Sequence, residues 1–414
     1  MELSKYSFGV GDRFGHQGVA QLKAIIKAAE KGVHVTPVWN KSHREHEIIG
    51  TKPGDVRFEA DAAVSDLNWD HSYFVDADHI TMDTVDAFVD SSDFFTIDVA
   101  DYIGNSASTE VIDVFVEQNR KFIGDLRIPG IHESFKVDSQ LLEEIAHTFL
   151  TASKEAGRIH DHIREMKGEK AVIEVSMDEV ESPQTPVELF FILKSLSEAG
   201  VRLNTIAPKF TGRFNKGVDY VGDLEQFASE FEQDIMVIAH VVNEYNLPAN
   251  LKLSVHSGSD KFSIYRPIHD IIQKHDAGIH LKTSGTTWLE ELIGLSLSGD
   301  EGVSMVRDIY EAAWNRFDEL TEPYDPVIDV QFSNLPKPNE FENWDGRQIA
   351  SKLTHDPDHP EFDPQLRQFM HCAYKIAGEK GSEYTNMLKK HEKTIGENVT
   401  KNLFERHLTP LFLD

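Results

Sequence analysis

The chain has 414 residues, with 41 Lys and Arg against 70 Asp and Glu for a formal net charge of −29, a single cysteine (Cys372) and 40% hydrophobic residues. That length accommodates one large domain with an extension, or two to three ordinary domains, and the apolar content suffices for a buried core, which excludes disorder. Spread negative charge repels phosphate backbones and anionic membranes, so nucleic acid and membranes are excluded as partners; one cysteine excludes an intramolecular disulfide and a paired-cysteine zinc site.

The N-terminal MELSKYSFGV lacks a basic segment leading into an apolar one, and no later window approaches a membrane span, so the expected location is the cytoplasm. From Ser7 onward, short apolar, β-branched runs alternate with helical patterns: SFGV from Ser7, HVTPVW from His34, YFVDA from Tyr73, FFTIDV from Phe94, AVIEVS from Ala171, LNTIAP from Leu203, LKLSV from Leu251 and IHLKT from Ile279. These are eight strand candidates. The first helix carries Val19, Leu22, Ile25 and Ala29 on one face and stops at Gly32. The insertion before the fifth strand holds a helix with Leu142, Ile145, Phe149, Ala152, Ala156, Ile159 and Ile163 at alternating three and four spacing, a packing stripe. A further helix opens with Thr185 as N-cap, Pro186 at its first position and Glu188 at its third, and closes at Gly200.

Near-continuous apolar strands alternating with helices are what a parallel sheet covered by helices requires. Eight such units predict a closed (β/α)8 barrel of the TIM type over residues 1–300; no GxGxxG follows the first strand, so a dinucleotide-binding open sheet lacks its phosphate turn. Residues 301–320 and 364–405 read as helices separated by a Pro-, Asn- and Asp-rich stretch, and 301–414 is expected to be a helical C-terminal extension packed on the barrel.

Each strand candidate is followed at once by reactive side chains, among them Asp12 and Arg13, Asn40 to His46, Asp78 and His79, Asp98 and Asp101, Asp178 and Glu179, Lys209 and Arg213, His256 to Lys261, and His280 to Ser284. Barrel active sites are built at the carboxyl ends of the strands, so these clusters are expected to converge on one site. His79, His256 and His280 end three different strands and are candidate ligands of a catalytic divalent metal, for which imidazole suits Zn, Mn, Ni, Co or Fe. Asp78 and Glu179 would stand on different walls, the arrangement for taking a proton on one side of a substrate and returning it on the other; Asp76, Asp98, Asp101, Glu174 and Asp178 compete for these roles. The small-residue loops HSGSDK from His256 and KTSGTT from Lys282 open helices and can hold an anion. Lys209, Arg213, Ser257, Ser259, Asp260, Lys261 and Lys282 are the candidate substrate-binding residues, of which Lys209, Arg213, Lys261 and Lys282 supply the local positive charge that an anionic small molecule would need on an acidic protein. Self-association into a homo-oligomer is left open.

The segments SFGVGDRFGHQG, VTPVWNKSHREH, YFVDADHI, FFTIDVAD, APKFTGRFNKGVDYVGD, LSVHSGSDKFSIY and GIHLKTSGTTWLE, followed by NLFERHLTPLF near the C-terminus, together resemble the tagaturonate epimerase family, some members of which act on tagatose and fructose. The resemblance implies a divalent-metal-dependent enzyme of hexuronate catabolism that interconverts tagaturonate and fructuronate. It also implies Asp78 as proton acceptor, Glu179 as proton donor, and His79, His256 and His280 as the metal set.

The inverting carbon of such a substrate lies β to the ketone, so its C–H is not acidified and simple enolisation does not invert it. Retro-aldol cleavage and re-addition is the expected route, with the metal as Lewis acid. A Schiff base on Lys282 or Lys209 is the alternative that dispenses with metal. A metal-dependent sugar-acid aldolase would share every residue named, a tagatose/fructose 4-epimerase would differ only in substrate, and a non-catalytic sugar-acid-binding protein would need neither metal nor opposed carboxylates.

Overall fold

The computed structural model describes residues 3–178, 180–283 and 285–413. The eight apolar runs form eight strands: β1 (Tyr6–Gly11), β2 (Val35–Ser42), β3 (Phe74–Ile80), β4 (Phe94–Asp98), β5 (Val172–Ser176), β6 (Thr205–Ala207), β7 (Lys252–His256) and β8 (Ile279–Lys282). Each pairs in parallel with its neighbour in sequence and β8 returns to β1, with Tyr6 opposite Ile279 and Gly9 opposite Lys282, so the sheet closes on itself as a TIM-type barrel. Helices Gly18–Glu30, Pro53–Asp66, Ser139–Lys167, Pro186–Glu198, Leu224–Glu244, Phe262–Lys274 and Thr286–Ser296 cover it. The β3–β4 crossover is the exception, carrying only the single turn Val85–Ala87.

The helix punctuation works as its chemistry requires. Thr185 accepts from the Glu188 amide while the Glu188 carboxylate accepts from the Thr185 amide at 2.7 Å, satisfying two amides that the helix itself leaves unpaired. Such a cap contributes about 1 kcal/mol. The long stripe helix runs from Ser139 to Lys167, with Leu142, Ile145, Phe149, Ala152, Ala156, Ile159 and Ile163 all buried.

Side chains alternate between the barrel interior and the helical layer. At the amino-terminal end the interior is an apolar plug of Leu3, Val38, Phe74, Phe94 and Val172. Above it the inward positions turn polar, with Ser7, Asp76, Thr96, Glu174, Thr205, Ser254 and His280 all buried. The interior therefore supports the polar mouth rather than simply filling space.

After Thr286–Ser296 the chain is helical: Asp300–Trp314, Phe317–Thr321, Gly346–Leu353, Pro364–Cys372, Tyr374–Lys380, Ser382–Lys390 and Glu392–Lys401, then a π-type segment Asn402–Leu413. The helix expected over 364–405 is thus broken into short pieces. One break is at Gly381, whose φ of 54° lies in the left-handed region that interrupts a right-handed helix. Glu392–Lys401 packs back on Gly18–Glu30 and Thr286–Ser296, and a Cβ at Gly294 would stand 2.8 Å from the Ile395 Cα, so the helices meet nearly backbone to backbone. No helix among the described residues is long and apolar enough to cross a membrane.

Candidate active site

The site begins with an irregularity at the end of β3. In a regular strand Asp78 and His79 would face opposite sides of the sheet. The pairing of β3 with β4 shifts between Ala77 and Ile80, and His79 has a φ of 52°. A left-handed conformation at a residue with a bulky side chain costs about 1 kcal/mol or more and persists only where the surroundings enforce it. Its effect is that both Asp78 and His79 line the same cavity at the mouth.

Around that point one ligand atom each from His79, Asp178 and His256 lie within 4.8 Å of one another. His79 Nδ1 is 3.0 Å from Asp98 Oδ2, and His256 Nε2 is 2.8 Å from Glu174 Oε1. Each carboxylate occupies one nitrogen of an imidazole and orients the ring, as outer-shell carboxylates do for metal-binding histidines. The nitrogens left, His79 Nε2 and His256 Nδ1, join the Asp178 carboxylate, 3.1 Å from His256 Nδ1. Two imidazoles and one carboxylate are a donor set that suits a transition metal and leaves coordination positions open. The surroundings also favour positive charge. Burial opposes protonation of both rings, yet Asp78, Asp98 and Asp178 raise the His79 pKa well above its ordinary value, and Asp178 with Glu174 raises that of His256 to about 9. The residues therefore fit a divalent cation.

His280 is not part of this group. It sits two residues before Lys282 on β8, one interior layer deeper, with Nδ1 2.9 Å from Ser7 Oγ and its ring 5.2 Å from that of Phe94. Burial lowers its pKa to about 3, so it is a neutral core imidazole. Asp178 takes the third place. It continues the inward series Glu174, Ser176, Asp178, and Ser176 Oγ donates to its carboxylate.

Lys282 reaches from β8 into the barrel, where its ammonium lies 2.7 Å from Asp76 Oδ2, 2.6 Å from Asp78 Oδ1 and 3.2 Å from Glu174 Oε1, and donates to Thr96 Oγ1 at 2.7 Å. Burial disfavours the ammonium, but three carboxylates outweigh it and raise its pKa well above the ordinary lysine value. A lysine so held has no free amine for a Schiff base. For Asp78, burial works against ionisation while Lys282, His79 and His256 outweigh it and hold the carboxyl below its usual range. Asn40 Nδ2 donates to Asp78 Oδ2 at 3.2 Å.

Two cavities open above these groups. One, of about 600 Å³, is lined by Asp178, His256, Lys209, Arg213, Lys216 and Tyr324, among others. The other, of about 310 Å³, is lined by Asp78, His79, Asp98, Arg44, Lys216 and His371, among others. Arg44, Lys216 and Tyr324 line both. His371 and Tyr324 come from the C-terminal region, which therefore supplies part of the wall; His371 Nε2 is 3.2 Å from Arg13 Nη2.

The remaining residues expected at the site divide sharply. Glu179 lies outside the described residues. Lys209 and Arg213 line the larger cavity, but Lys209 donates to the Val180 carbonyl and Arg213 makes a two-point contact with Asp329 at 3.0 and 2.7 Å. Ser257, Ser259, Asp260 and Lys261 are fully buried and bonded internally. Ser257 Oγ donates to the Lys282 carbonyl, Ser259 Oγ accepts from the Gly217 amide, and Lys261 donates to the carbonyls of Asn215 and Val218. Asp260 binds Arg367 at 2.7 Å, His355 at 3.2 Å and His407 at 3.1 Å. This loop turns inward at Gly258 and fastens the barrel to its C-terminal region. Lys216 was absent from the residues picked out by sequence; a lysine flanking Gly217 in the loop after β6 was the available signal.

A sequence profile of the tagaturonate epimerase family matches residues 1–411. The chain is 28% identical over 422 positions to a tagaturonate/fructuronate epimerase of Thermotoga maritima, an alignment covering 97% of this chain and 80% of the relative. Crystal structures of a fructuronate-tagaturonate epimerase from Cohnella laeviribosi are similar in fold. The complex with one glycerol has a TM-score of 0.82 at 22% identity, covering 99% of this chain and 82% of the other. The native form has a TM-score of 0.79 at 22% identity, covering 98% and 81%.

Proposed function

The chain belongs to the tagaturonate epimerase family and is an enzyme of the isomerase class, and on that premise we propose that it interconverts D-tagaturonate and D-fructuronate with a divalent cation bound by His79, Asp178 and His256. The observation that carries the metal reading is the three-residue donor set at the mouth, with Asp98 and Glu174 behind its two rings. Residues 1–300 then form the catalytic barrel, and 301–414 an extension that closes its mouth with Tyr324 and His371.

The two substrates differ at one hydroxyl-bearing carbon, β to the ketone. Asp78, held ionised by Lys282, takes the hydroxyl proton at that carbon. The adjacent C–C bond breaks, giving an aldehyde and an enediolate fragment. The aldehyde rotates in place, the bond re-forms on its opposite face, and a proton returns to the new alkoxide, the role assigned to Glu179. A cation held by the three ligands supplies Lewis acidity that lowers the pKa of oxygens brought to it, which a carboxylate as weakly basic as Asp78 requires. The cavity around the pair must retain both fragments between cleavage and re-addition.

The test is NMR of the metal-loaded enzyme with tagaturonate in D2O. Fructuronate with no deuterium at the inverted carbon and no free three-carbon fragments is the expected result. Deuterium at that carbon would overturn the cleavage route, and accumulation of fragments would make the protein an aldolase.

A further inference from the structure

The mouth carries several cations, but their charges are not equally available. Arg213 is matched by the Asp329 carboxylate at two points, and Lys209 is tied to a backbone carbonyl. Lys261 is buried among carbonyls, and Lys282 is surrounded by three carboxylates below the metal group. Lys216 is different: it lines both cavities, and among the described residues its ammonium makes no hydrogen bond or ion pair.

Its backbone is nevertheless held firmly. The Lys216 amide donates to the Val327 carbonyl at 2.8 Å, Asn215 Nδ2 donates to Asp329 Oδ2 at 2.6 Å, and the Gly217 amide donates to Ser259 Oγ at 2.9 Å. The side chain extends over the loop that follows β7. At Gly258, two residues beyond His256, a Cβ would stand 3.1 Å from Lys216 Nζ, so the absence of a side chain there leaves the ammonium its space. A rigidly based, half-buried cation without a hydrogen-bond or ion-pair partner among the described residues, at the junction of the cavities holding Asp78, His79, Asp178 and His256, is poised for an anionic group of the substrate.

Resting on the epimerase reading, we propose that Lys216 is the specificity-determining residue for the terminal carboxylate of the keto-hexuronate, distinguishing it from neutral ketohexoses. The sugar acid then lies with its carboxylate on Lys216 and its keto end toward His79 and His256. The loop of Ser257 to Lys261 acts only by shaping the floor beneath the ammonium.

The experiment is steady-state kinetics with tagaturonate on metal-loaded wild type, Lys216→Met and Lys216→Arg, with tagatose as a competing neutral ketohexose; circular dichroism checks that each variant is folded. Loss of a charge-assisted contact raises the KM of Lys216→Met for tagaturonate by about 100-fold, with less change in kcat. The inhibition constant of tagatose moves by less than about threefold, because it has no carboxylate to lose a partner. Lys216→Arg, which keeps the charge, stays within about tenfold of wild type in KM. An unmoved KM in Lys216→Met, or a KM and a tagatose inhibition constant that rise together, overturns the assignment. Should Lys216→Met not fold, Lys216→Arg with an equal loss for both sugars does the same. Wild-type protein that leaves tagaturonate unchanged would overturn the proposed function itself, a result distinct from turnover with an unmoved KM.

Discussion

Glu174 Oε1 lies 2.8 Å from Nε2 of His256, which turns the other ring nitrogen toward Asp178. Replacing this carboxylate by an amide of the same shape removes its charge while leaving an acceptor. Glu174→Gln is expected to weaken divalent-metal affinity by about 10- to 100-fold, measured by competition with a chromophoric chelator. Unchanged affinity would mean that Glu174 serves Lys282 and the hydroxyls of Thr96 and Thr205 rather than the metal group.

The third ligand separates the geometry from the histidine set read in the sequence. His79→Ala and Asp178→Asn are expected to lose stoichiometric metal after dialysis, whereas His280→Gln, which retains a polar group for Ser7, keeps one ion per chain by elemental analysis. Metal retained in Asp178→Asn and lost in His280→Gln would restore the three-histidine set.

Lys282 is shared by three buried carboxylates, and among the described residues it is the only ion-pair partner of Asp76, so its removal leaves that carboxyl without a cation. Lys282→Met is expected to cost about 3–5 kcal/mol of unfolding free energy, read from denaturant titration. Borohydride reduction of the wild type in the presence of tagaturonate should leave its mass unchanged; a trapped adduct would revive the amine mechanism.

Asp260 tests the junction between barrel and C-terminal region. Burial opposes its ionisation, but Arg367, His355 and His407 outweigh this and hold its carboxyl well below the ordinary range. A depressed carboxyl contributes its full stability above the unfolded value, about 4, and loses it as pH falls through the lower native value. Asp260→Asn should therefore be less stable than wild type by about 3 kcal/mol at pH 7, and the gap should narrow as pH falls below about 4. A gap independent of pH would place the stabilisation in packing rather than charge.

Much of the barrel was legible because strands buried on both faces are near-continuous apolar runs, and all eight such runs became barrel strands. The positions of Asp78, His79, His256 and Lys282 followed from the rule that strand ends face the mouth. What that rule does not carry is depth. His280 and Lys282 share the inward face of β8, yet lie in different layers, and only the alternation Glu174, Ser176, Asp178 would have brought Asp178 forward. The loop from Ser257 to Lys261 has the composition of an anion-binding turn, but its groups are consumed by Arg367, His355, His407 and the Gly217 loop, partners more than 40 residues away in sequence in each case. The break at Gly381 was readable as a glycine; Lys216 gained its importance only when tertiary structure occupied the other cations.

The most direct test of the account is NMR of purified protein with tagaturonate after exhaustive chelation, and again after adding Mn, Ni, Co or Zn. Conversion to fructuronate that vanishes on chelation and returns with one of these ions is the predicted result. Full activity without metal, or no conversion under either condition, would contradict it.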